Sequence, residues 1–375
     1  MPRPLAIDPE RLAGRLIDLL TMPSPVGYTD NVVHMVCGWL TEMGAEFELT
    51  RRGAVRVNVS GAQASPDRAI VGHVDTLGAQ VTRLKENGRL ALRPIGHWSS
   101  RFAEGARVTL LSRKEQLRGT ILPLKASGHT YNEEVDSQPT TWDHVELRVD
   151  APVSSIAELE AIGVHVGDLV AVDAQPELSP HGFINSRHLD DKAGVAAMLA
   201  ALEALVTGKV PLPVDCHFLF TISEEVGVGA SAVLHGDVAE MVAVDNGTVA
   251  PGQNSSEYGV TVAMGDMTGP FDYHLTHMLL GLCSEHKIPH QRDVFRFYRA
   301  DAASALEAGN DIRTALLCFG IDASHGYERT NLDALVHLAR LLTVYAQMPP
   351  AVARDKAELS SLKGFPDQPQ VGEGL

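Results

Sequence analysis

Residues 183–194 read FINSRHLDDKAG and separate two regions with different patterns of apolar residues. Before them, over 80–175, short alternating runs such as RVTLLS (107–112) are separated by Gly, Pro, Asn and Asp, which is typical of a small all-β module. After them, apolar runs of helical and strand length alternate, as they do near the amino terminus. The pattern predicts an α/β domain, residues 1–79 and 176–347, interrupted by an inserted barrel-like β module at 80–175, for which a sandwich is the alternative.

Apolar periodicity extends this prediction to individual elements. Helices are expected at 8–20, 29–43, 191–206, 271–286, 301–308 and 331–347. Strands are expected at 46–49, 54–59, 69–72, 215–222, 241–245, 258–264, 292–297 and 314–318. The alternation favours a mixed-sheet α/β/α fold with functional side chains at strand ends. The tail at 348–375, rich in Pro, Gly and charge, is expected to be a polar extension, mobile or packed on the surface.

Charge and cysteine content restrict the partners and the cellular location that we expect for the protein. The chain has a net charge of −16 and no basic stripe, which argues against nucleic acid and anionic membranes as partners. The longest nearly apolar run, 193–206, is shorter than the roughly 20 residues of a membrane helix. The first 20 residues lack the apolar core of a signal peptide. The four cysteines form no CxxC pair and indicate a reducing compartment, so we expect a cytoplasmic protein.

Two acidic doublets, Asp190–Asp191 and Glu224–Glu225, stand beside apolar runs. Adjacent carboxylates repel one another, and a fold that gathers four of them raises their pKa values unless cations lie among them. Each doublet also has a simpler interpretation. The Asp pair suits a helix N-cap with an acidic first turn, and the Glu pair suits a solvated strand end.

Four further residues strengthen the metal interpretation, namely His73, Asp75, Asp245 and His325. Each is weak evidence alone, but with the doublets they form a His/Asp/Glu set with room for two metal ions. A two-metal site needs imidazole and oxygen ligands, a bridging carboxylate and an unligated carboxylate as base. The sequence therefore predicts hydrolysis by metal-activated water.

The motifs that carry these residues resemble one family in order and spacing. They are HVDTLG (73–78), HLDDKAG (188–194), ISEEVG (222–227), AVDNG (243–247) and SHG (324–326). Over residues 5–347 the chain resembles the glutamyl-aminopeptidase family of dinuclear metallopeptidases, which includes tetrahedral and deblocking aminopeptidases and some proteins labelled endoglucanases. That label alone suggests a glycosidase, which needs two carboxyls flanking a sugar and no metal.

The resemblance implies a role for each matching residue. His73, Asp190 and Asp245 would hold one metal, and Asp190 would bridge to a second metal. Glu225 and His325 would complete that second site. Glu224 would be the general base, and Asp75 would support His73. The resemblance also implies a cis peptide between Asp190 and Asp191, and a role for Asp301 in ordering the last ligand loop.

The resemblance also implies an activity and an assembly. The protein would be an aminopeptidase for short peptides that uses two divalent ions, zinc first, with cobalt or manganese as alternatives. The β module would pair subunits in a homo-dimer, and family members extend such dimers to dodecamers.

The chain departs from the family at Thr76, where an acidic residue is common, and at 326–329, where GYER replaces Ser-Pro-x-Glu. It is similar to a subgroup from gene neighbourhoods for the osmoprotectant N-acetylglutaminylglutamine amide. A deacylase or amidase for small blocked dipeptides is therefore an alternative. An inactive metal-binding assembly protein is another. Among the other histidines, only His129 and His188 are expected near the site, and neither as a ligand.

Overall fold

The structure is a computed structural model that describes residues 2–369. Its α-helices are α1 (Pro9–Thr21), α2 (Asp30–Glu42), α3 (Gly128–Tyr131), α4 (Glu134–Ser137), α5 (Ile156–Ala161), α6 (Leu189–Thr207), α7 (Tyr273–Glu285), α8 (Asp301–Glu307) and α9 (Leu332–Ala346).

The strands fall into two groups. Those of the large sheet are β1 (Phe47–Leu49), β2 (Val55–Val59), β3 (Gln63–His73), β10 (Glu177–Leu178), β11 (Phe183–Ser186), β12 (Val214–Thr221), β13 (Val238–Val249), β14 (Val260–Asp266), β15 (Gly269–Pro270), β16 (His290–Val294), β17 (Arg313–Asp322) and β18 (Glu328–Asn331). Those of the inserted module are β4 (Gly78–Leu84), β5 (Leu90–Ile95), β6 (Arg107–Leu111), β7 (Gln116–Pro123), β8 (Val145–Val149) and β9 (Leu169–Val172).

The large sheet is mixed and its centre is parallel. Its main path runs β1-β2-β12-β3-β13-β17-β18-β11-β10, and β14 adds β15 and β16 beside β17. Strands β12, β3, β13 and β17 are parallel neighbours, whereas β2, β14 and β18 join antiparallel. Helix α6 packs on this centre and against α1 and α9, and it is buried along almost all of its length. A helix that is apolar on all sides is expected to lie in a core.

The inserted module is a closed barrel in the strand order β4-β5-β8-β7-β6-β9, with β9 returning to β4. It has its own apolar core, which includes Val108, Leu110 and Leu147. The predicted architecture, a mixed-sheet α/β domain interrupted by a barrel-like β module, is confirmed. The module also contains the three short helices α3, α4 and α5.

Several boundaries differ from the sequence prediction. Strand β13 was expected to end at Asp245 but continues to Val249, because it stays paired with β17 as far as Asp322. Strands β10, β11, β15 and β18 were not predicted, since each has only two to four residues. The tail packs on the body as far as it is described. The Ala351 N–H donates to Glu240, which also pairs with Arg68 at 2.9 Å. Residues 370–375 of the predicted tail lie outside the described residues.

Candidate metal centre

The pairing of neighbouring strands places the first site residues at the same edge of the sheet. His73 ends β3 opposite Thr221 of β12, and Thr221 lies three residues before the turn at 224–226. On the other side of β3, Ala243 of β13 pairs with Val71, so Asp245 lies level with His73. Parallel neighbours present corresponding side chains at the same edge of a sheet. The sheet therefore gathers His73, Asp245 and the Glu224–Glu225 turn.

The predicted residues form two donor groups that share one carboxylate. The side-chain donor atoms of His73, Asp190 and Asp245 all lie within 4.8 Å of one another. Those of Asp190, Glu225 and His325 do the same. Thus all five residues expected to bind metal meet around Asp190.

Asp190 faces both imidazoles. Its Oδ1 lies 3.2 Å from Nε2 of His73, and its Oδ2 lies 3.1 Å from Nε2 of His325. The Asn246 amide donates to Oδ2 at 2.7 Å. Although burial opposes it, hydrogen bonding to the two histidines lowers the pKa of Asp190. The peptide bond between Asp190 and Asp191 is cis, and both residues have non-helical backbone angles within α6.

The pKa values of the other site residues are shifted because charged groups are buried close together. Burial, with the charges of neighbouring acids, raises the pKa values of Glu225 and Asp245 well above their usual range. Burial alone would lower the pKa of His325, but the Asp190 hydrogen bond and nearby carboxylates raise it to about 10. Oε1 of Glu225 is buried and has no hydrogen-bond partner in the part of the chain that the structure describes. Buried carboxylates that face imidazoles, one with an unsatisfied oxygen, fit a site for divalent cations with oxygen and nitrogen ligands.

Glu224 lies beside both groups without belonging to either. Its Oε2 is 3.8 Å from Nε2 of His73, and its side chain is 12% exposed. Burial is the largest cause of a strongly raised Glu224 pKa. Such a carboxyl has the environment of a general base or acid.

The carboxylate of Asp75 contacts the Glu doublet more closely than it contacts His73. Its two carboxylate oxygens accept hydrogen bonds from the backbone N–H groups of Glu224 and Glu225, each at 3.2 Å. Its Oδ1 is 3.6 Å from Nδ1 of His73, and that nitrogen lies 3.0 Å from the backbone carbonyl of Asp75. The carboxylate thus fixes the turn that carries Glu224.

Glu328, the first residue of β18, was not predicted as a site residue. Its Oε1 accepts the His325 N–H at 2.8 Å, and its Oε2 accepts the Asp190 N–H at 3.2 Å. The Glu328 carboxylate therefore holds the backbone of Asp190, which both donor groups share, and the backbone of His325. Asp301, for which the sequence suggested an ordering role in that loop, instead accepts hydrogen bonds from Thr221 and Ala230.

The barrel also reaches the site. Nδ1 of His325 lies 2.6 Å from the backbone carbonyl of His97, which fixes the orientation of the ring. A cavity of about 390 Å³ opens over the centre, and its walls include Glu224, Asp245, Phe297 and Arg299. A cavity of that size beside clustered polar groups suits a small ligand.

Neither of the two other histidines noted in the sequence belongs to a donor group, although His188 lines a pocket together with Asp190 and His325. His129 is in the exposed helix α3. His188 is buried, with its Nε2 3.0 Å from the Val172 carbonyl. Burial and the nearby Lys192 lower the pKa of His188 to about 3, so this imidazole is neutral.

The fold and the site together define a hydrolase of the metallo-aminopeptidase class. The chain belongs to the M42 glutamyl aminopeptidase family, whose model matches residues 53–341. Peptidases of this family depend on metal ions, in agreement with the clustered donor groups. The predicted family resemblance is confirmed.

Similar proteins support this assignment. YhfE of Bacillus subtilis (strain 168) is 36% identical over 333 residues, which cover 88% of this chain and 96% of YhfE. The TET aminopeptidase from Thaumarchaeota archaeon SCGC AB-539-E09 has a TM-score of 0.82 at 18% identity, with 95% of this chain and 99% of that chain covered. The Pyrococcus horikoshii TET1 peptidase has a TM-score of 0.79 at 21% identity, with 90% and 100% covered. These two structural matches show the fold.

Within residues 2–369, no helix is both long enough and apolar enough to span a membrane.

Proposed function

We propose that the protein is a dinuclear-metal-dependent aminopeptidase that acts on short peptides in the cytoplasm. The observation that carries this proposal is the sharing of Asp190 between two donor groups, with Glu224 adjacent to both. The buried cysteines Cys216, Cys283 and Cys318 are unpaired, which supports a reducing compartment.

In this proposal, His73 and Asp245 would hold one ion, Glu225 and His325 would hold the other, and Asp190 would contribute a ligand to each. Zinc suits these nitrogen and oxygen donors, and cobalt and manganese are alternatives. When bound, two such ions lower the pKa of a water molecule and polarise the substrate carbonyl.

Glu224 then performs the proton transfer. It accepts a proton from the attacking water and returns it to the leaving amine, as a general base and acid. Asp75 holds the Glu224 backbone during both steps through the 3.2 Å hydrogen bond to its carboxylate. The raised pKa of Glu224 favours the return of the proton, because a carboxyl of higher pKa binds protons more readily.

A substrate screen tests the proposed activity. The metal-free protein is reconstituted with zinc, cobalt or manganese and assayed on free dipeptides, N-acetylated dipeptides and dipeptide amides. We expect release of the N-terminal residue from substrates with a free amine, and loss of this activity with chelator. Cleavage of blocked substrates only would show a deacylase or amidase instead. Hydrolysis of no substrate with two ions bound would show an inactive metal-binding protein.

We also propose that the chain forms homo-dimers through the barrel at 80–175, with a dodecamer as the larger assembly. The Pyrococcus horikoshii TET1 peptidase can assemble into a tetrahedron or a large octahedral shell. The common fold and the barrel inserted in this chain support such an assembly here.

A further inference from the structure

We propose that Tyr298 is a further catalytic residue, whose hydroxyl donates a hydrogen bond to the carbonyl oxygen of the peptide bond that is cleaved. This inference rests on the proposed function, because it concerns a step of the same reaction. Tyr298 follows β16 and lies three residues before Asp301, where α8 begins. The carboxylates of the centre accept hydrogen bonds, so they cannot take this role.

The position of the Tyr298 side chain is the first argument. It lines the cavity of about 390 Å³ together with Glu224 and Asp245. Burial, with the charges of Asp245 and Glu224, raises the pKa of Tyr298 well above its usual range. The phenol therefore keeps its proton at neutral pH and can donate it in a hydrogen bond. It borders the space that the base and a metal-binding carboxylate also face, where the reacting carbonyl of a substrate would lie.

The second argument is that the hydroxyl has no partner. Its oxygen is buried and makes no hydrogen bond within residues 2–369. A buried hydroxyl that has lost its hydrogen bonds to water without replacement is unfavourable. A substrate oxygen in the cavity would supply the missing acceptor.

The third argument is that Asp245, beside the hydroxyl, has other partners. Burial and the charge of Asp190 raise the pKa of Asp245, and Tyr298 is among the groups that oppose this rise. Oδ1 of Asp245 accepts the Asn246 backbone N–H at 2.6 Å and the Asn246 amide at 3.2 Å. That leaves Oδ2 for the metal ion of the proposed function. With the ion bound, the hydroxyl is free for the substrate.

The fourth argument is that Tyr298 is held in place. Its carbonyl accepts the Met267 N–H at 3.1 Å, and its ring packs on that of the buried Phe295 with centroids 5.1 Å apart. The Phe295 N–H donates to the Gly265 carbonyl at 3.1 Å. The segment is thus fixed to β14 and to the residue that follows it. A donor that is oriented before the substrate binds needs no reorganisation when charge develops.

Two other side chains with N–H donors border the cavity and are less suited to this role. The Arg299 guanidinium is paired with Glu307 at 2.7 Å. The His97 side chain belongs to the barrel and is exposed to water. Hydrogen bonds to a developing charge are stronger where water is excluded, so the buried Tyr298 hydroxyl is the best placed of the three.

The proposed step leaves the tyrosine unchanged. As the water oxygen bonds to the carbonyl carbon, the π electron pair of the C=O bond moves to the carbonyl oxygen, and Glu224 takes the water proton. Tyr298 donates its hydrogen bond to that oxygen and keeps its proton. The C–N bond then breaks, the C=O bond re-forms, and Glu224 returns the proton to the leaving amine. The hydroxyl thereby stabilises the charged transition state more than the neutral substrate.

Tyr298→Phe tests this role, because it removes only the hydroxyl and retains the ring that packs on Phe295. The substrate is the dipeptide that wild type cleaves fastest in the substrate screen. We expect kcat to fall by about 10²- to 10³-fold with KM nearly unchanged, as for an interaction made only in the transition state. The controls are Tyr273→Phe, which removes a hydroxyl from exposed α7, and Arg299→Met, and both should retain the wild-type kcat.

Two binding measurements provide readouts independent of turnover. The phosphinic analogue of the same dipeptide, which carries a tetrahedral anionic centre, and the N-terminal amino acid alone are titrated calorimetrically into each zinc-loaded protein. Tyr298→Phe should weaken binding of the analogue by about 10- to 100-fold and leave binding of the amino acid unchanged. Zinc affinity, measured by competition with a chelator, should equal that of wild type.

Wild-type kcat in Tyr298→Phe, or equal loss of affinity for the analogue and the amino acid, would overturn the proposal. A loss of zinc affinity that accounts for the fall in kcat would also overturn it, and would make Tyr298 a positioning residue for Asp245. Chelator-sensitive hydrolysis by wild type with any of these results would leave the proposed aminopeptidase intact. Failure of wild type to hydrolyse any peptide would reject both proposals.

Discussion

At the scale of single residues, the two aspartates of the doublet face different environments. Asp190 faces His73 and His325, whereas Asp191 turns into the core and accepts the His73 N–H at 3.2 Å. The sequence showed two adjacent charges but not which would face the centre, because that depends on the local backbone. The seven residues expected to bind metal, to act as the base or to support His73 nevertheless lie close together.

Glu328 illustrates the kind of residue that sequence patterns miss. It binds two backbone N–H groups, so neither of its partners is visible as a side-chain motif. The only signal in the sequence was a carboxylate three residues after His325, within a segment that departs from the family pattern. That signal gives no indication that the carboxylate turns back toward Asp190.

The Glu224→Gln substitution tests the general base. The amide cannot accept the proton from water, so we expect kcat to fall by about 10²- to 10⁴-fold. Bound metal, measured by elemental analysis, should remain near that of wild type because Glu224 is outside both donor groups.

The exposed Glu285→Gln is the matched control, and its kcat should be unchanged. Retention of wild-type kcat in Glu224→Gln would remove Glu224 from the role of base.

The Glu328→Gln substitution tests the residue that holds the ligand backbone. Gln has one acceptor oxygen, so the N–H of either Asp190 or His325 loses its partner. We expect metal affinity to fall by about 10- to 100-fold, as for other residues that orient metal ligands. The measurement is competition for zinc with a chelator of known affinity. Glu257→Gln, which removes a charge paired with Arg329 outside the centre, should leave zinc affinity unchanged.

At the scale of elements, β13 shows why a polar residue does not always end a strand. The motif AVDNG suggested an end at Asp245, but Asn246 and Gly247 remain paired with Phe319 and Gly320 of β17. Long apolar runs predicted the central strands well. The short strands β10, β11 and β18 contain too few residues for a periodic pattern to be recognised. They can be identified only from the strands with which they pair.

Helix α6 depends on a glycine beside the doublet. A Cβ at Gly194 would lie 2.1 Å from Oδ1 of Asp191, so Gly194→Ala must displace that carboxylate. We expect the free energy of unfolding in urea to fall by about 1–3 kcal/mol.

Gly38→Ala in α2 is the matched control, because among residues 2–369 no atom other than those of its chain neighbours and its own helix backbone lies within 4 Å of the added methyl group. Since Ala favours helix over Gly, this variant should gain about 0.5–1 kcal/mol. Equal effects of the two substitutions would show that the space around Asp191 does not constrain α6.

At the scale of the whole molecule, the α/β domain and the barrel each have a separate core. The spacing of apolar residues alone predicted this division, because apolar residues that recur at every second position differ clearly from apolar residues at helical spacing. It did not predict that the barrel would contact the site, since that contact uses the backbone carbonyl of His97 and no side-chain motif.

The proposed barrel-mediated dimer is tested by analytical ultracentrifugation of the full chain. At micromolar concentration we expect a sedimentation coefficient of a dimer or a larger closed assembly. A monomer at every concentration would contradict the proposal.

The hydrogen bond from His325 to His97 also affects how the protein can be engineered. In a chimera that receives the barrel of a relative, the graft carries the carbonyl that sets the angle of a histidine from the other domain. A barrel that folds perfectly, but places this carbonyl an ångström away, would yield a well-folded chimera with a misaligned centre. Exchange of the barrel should therefore be planned as an alteration of the active site, with the junctions chosen to preserve the backbone at residue 97.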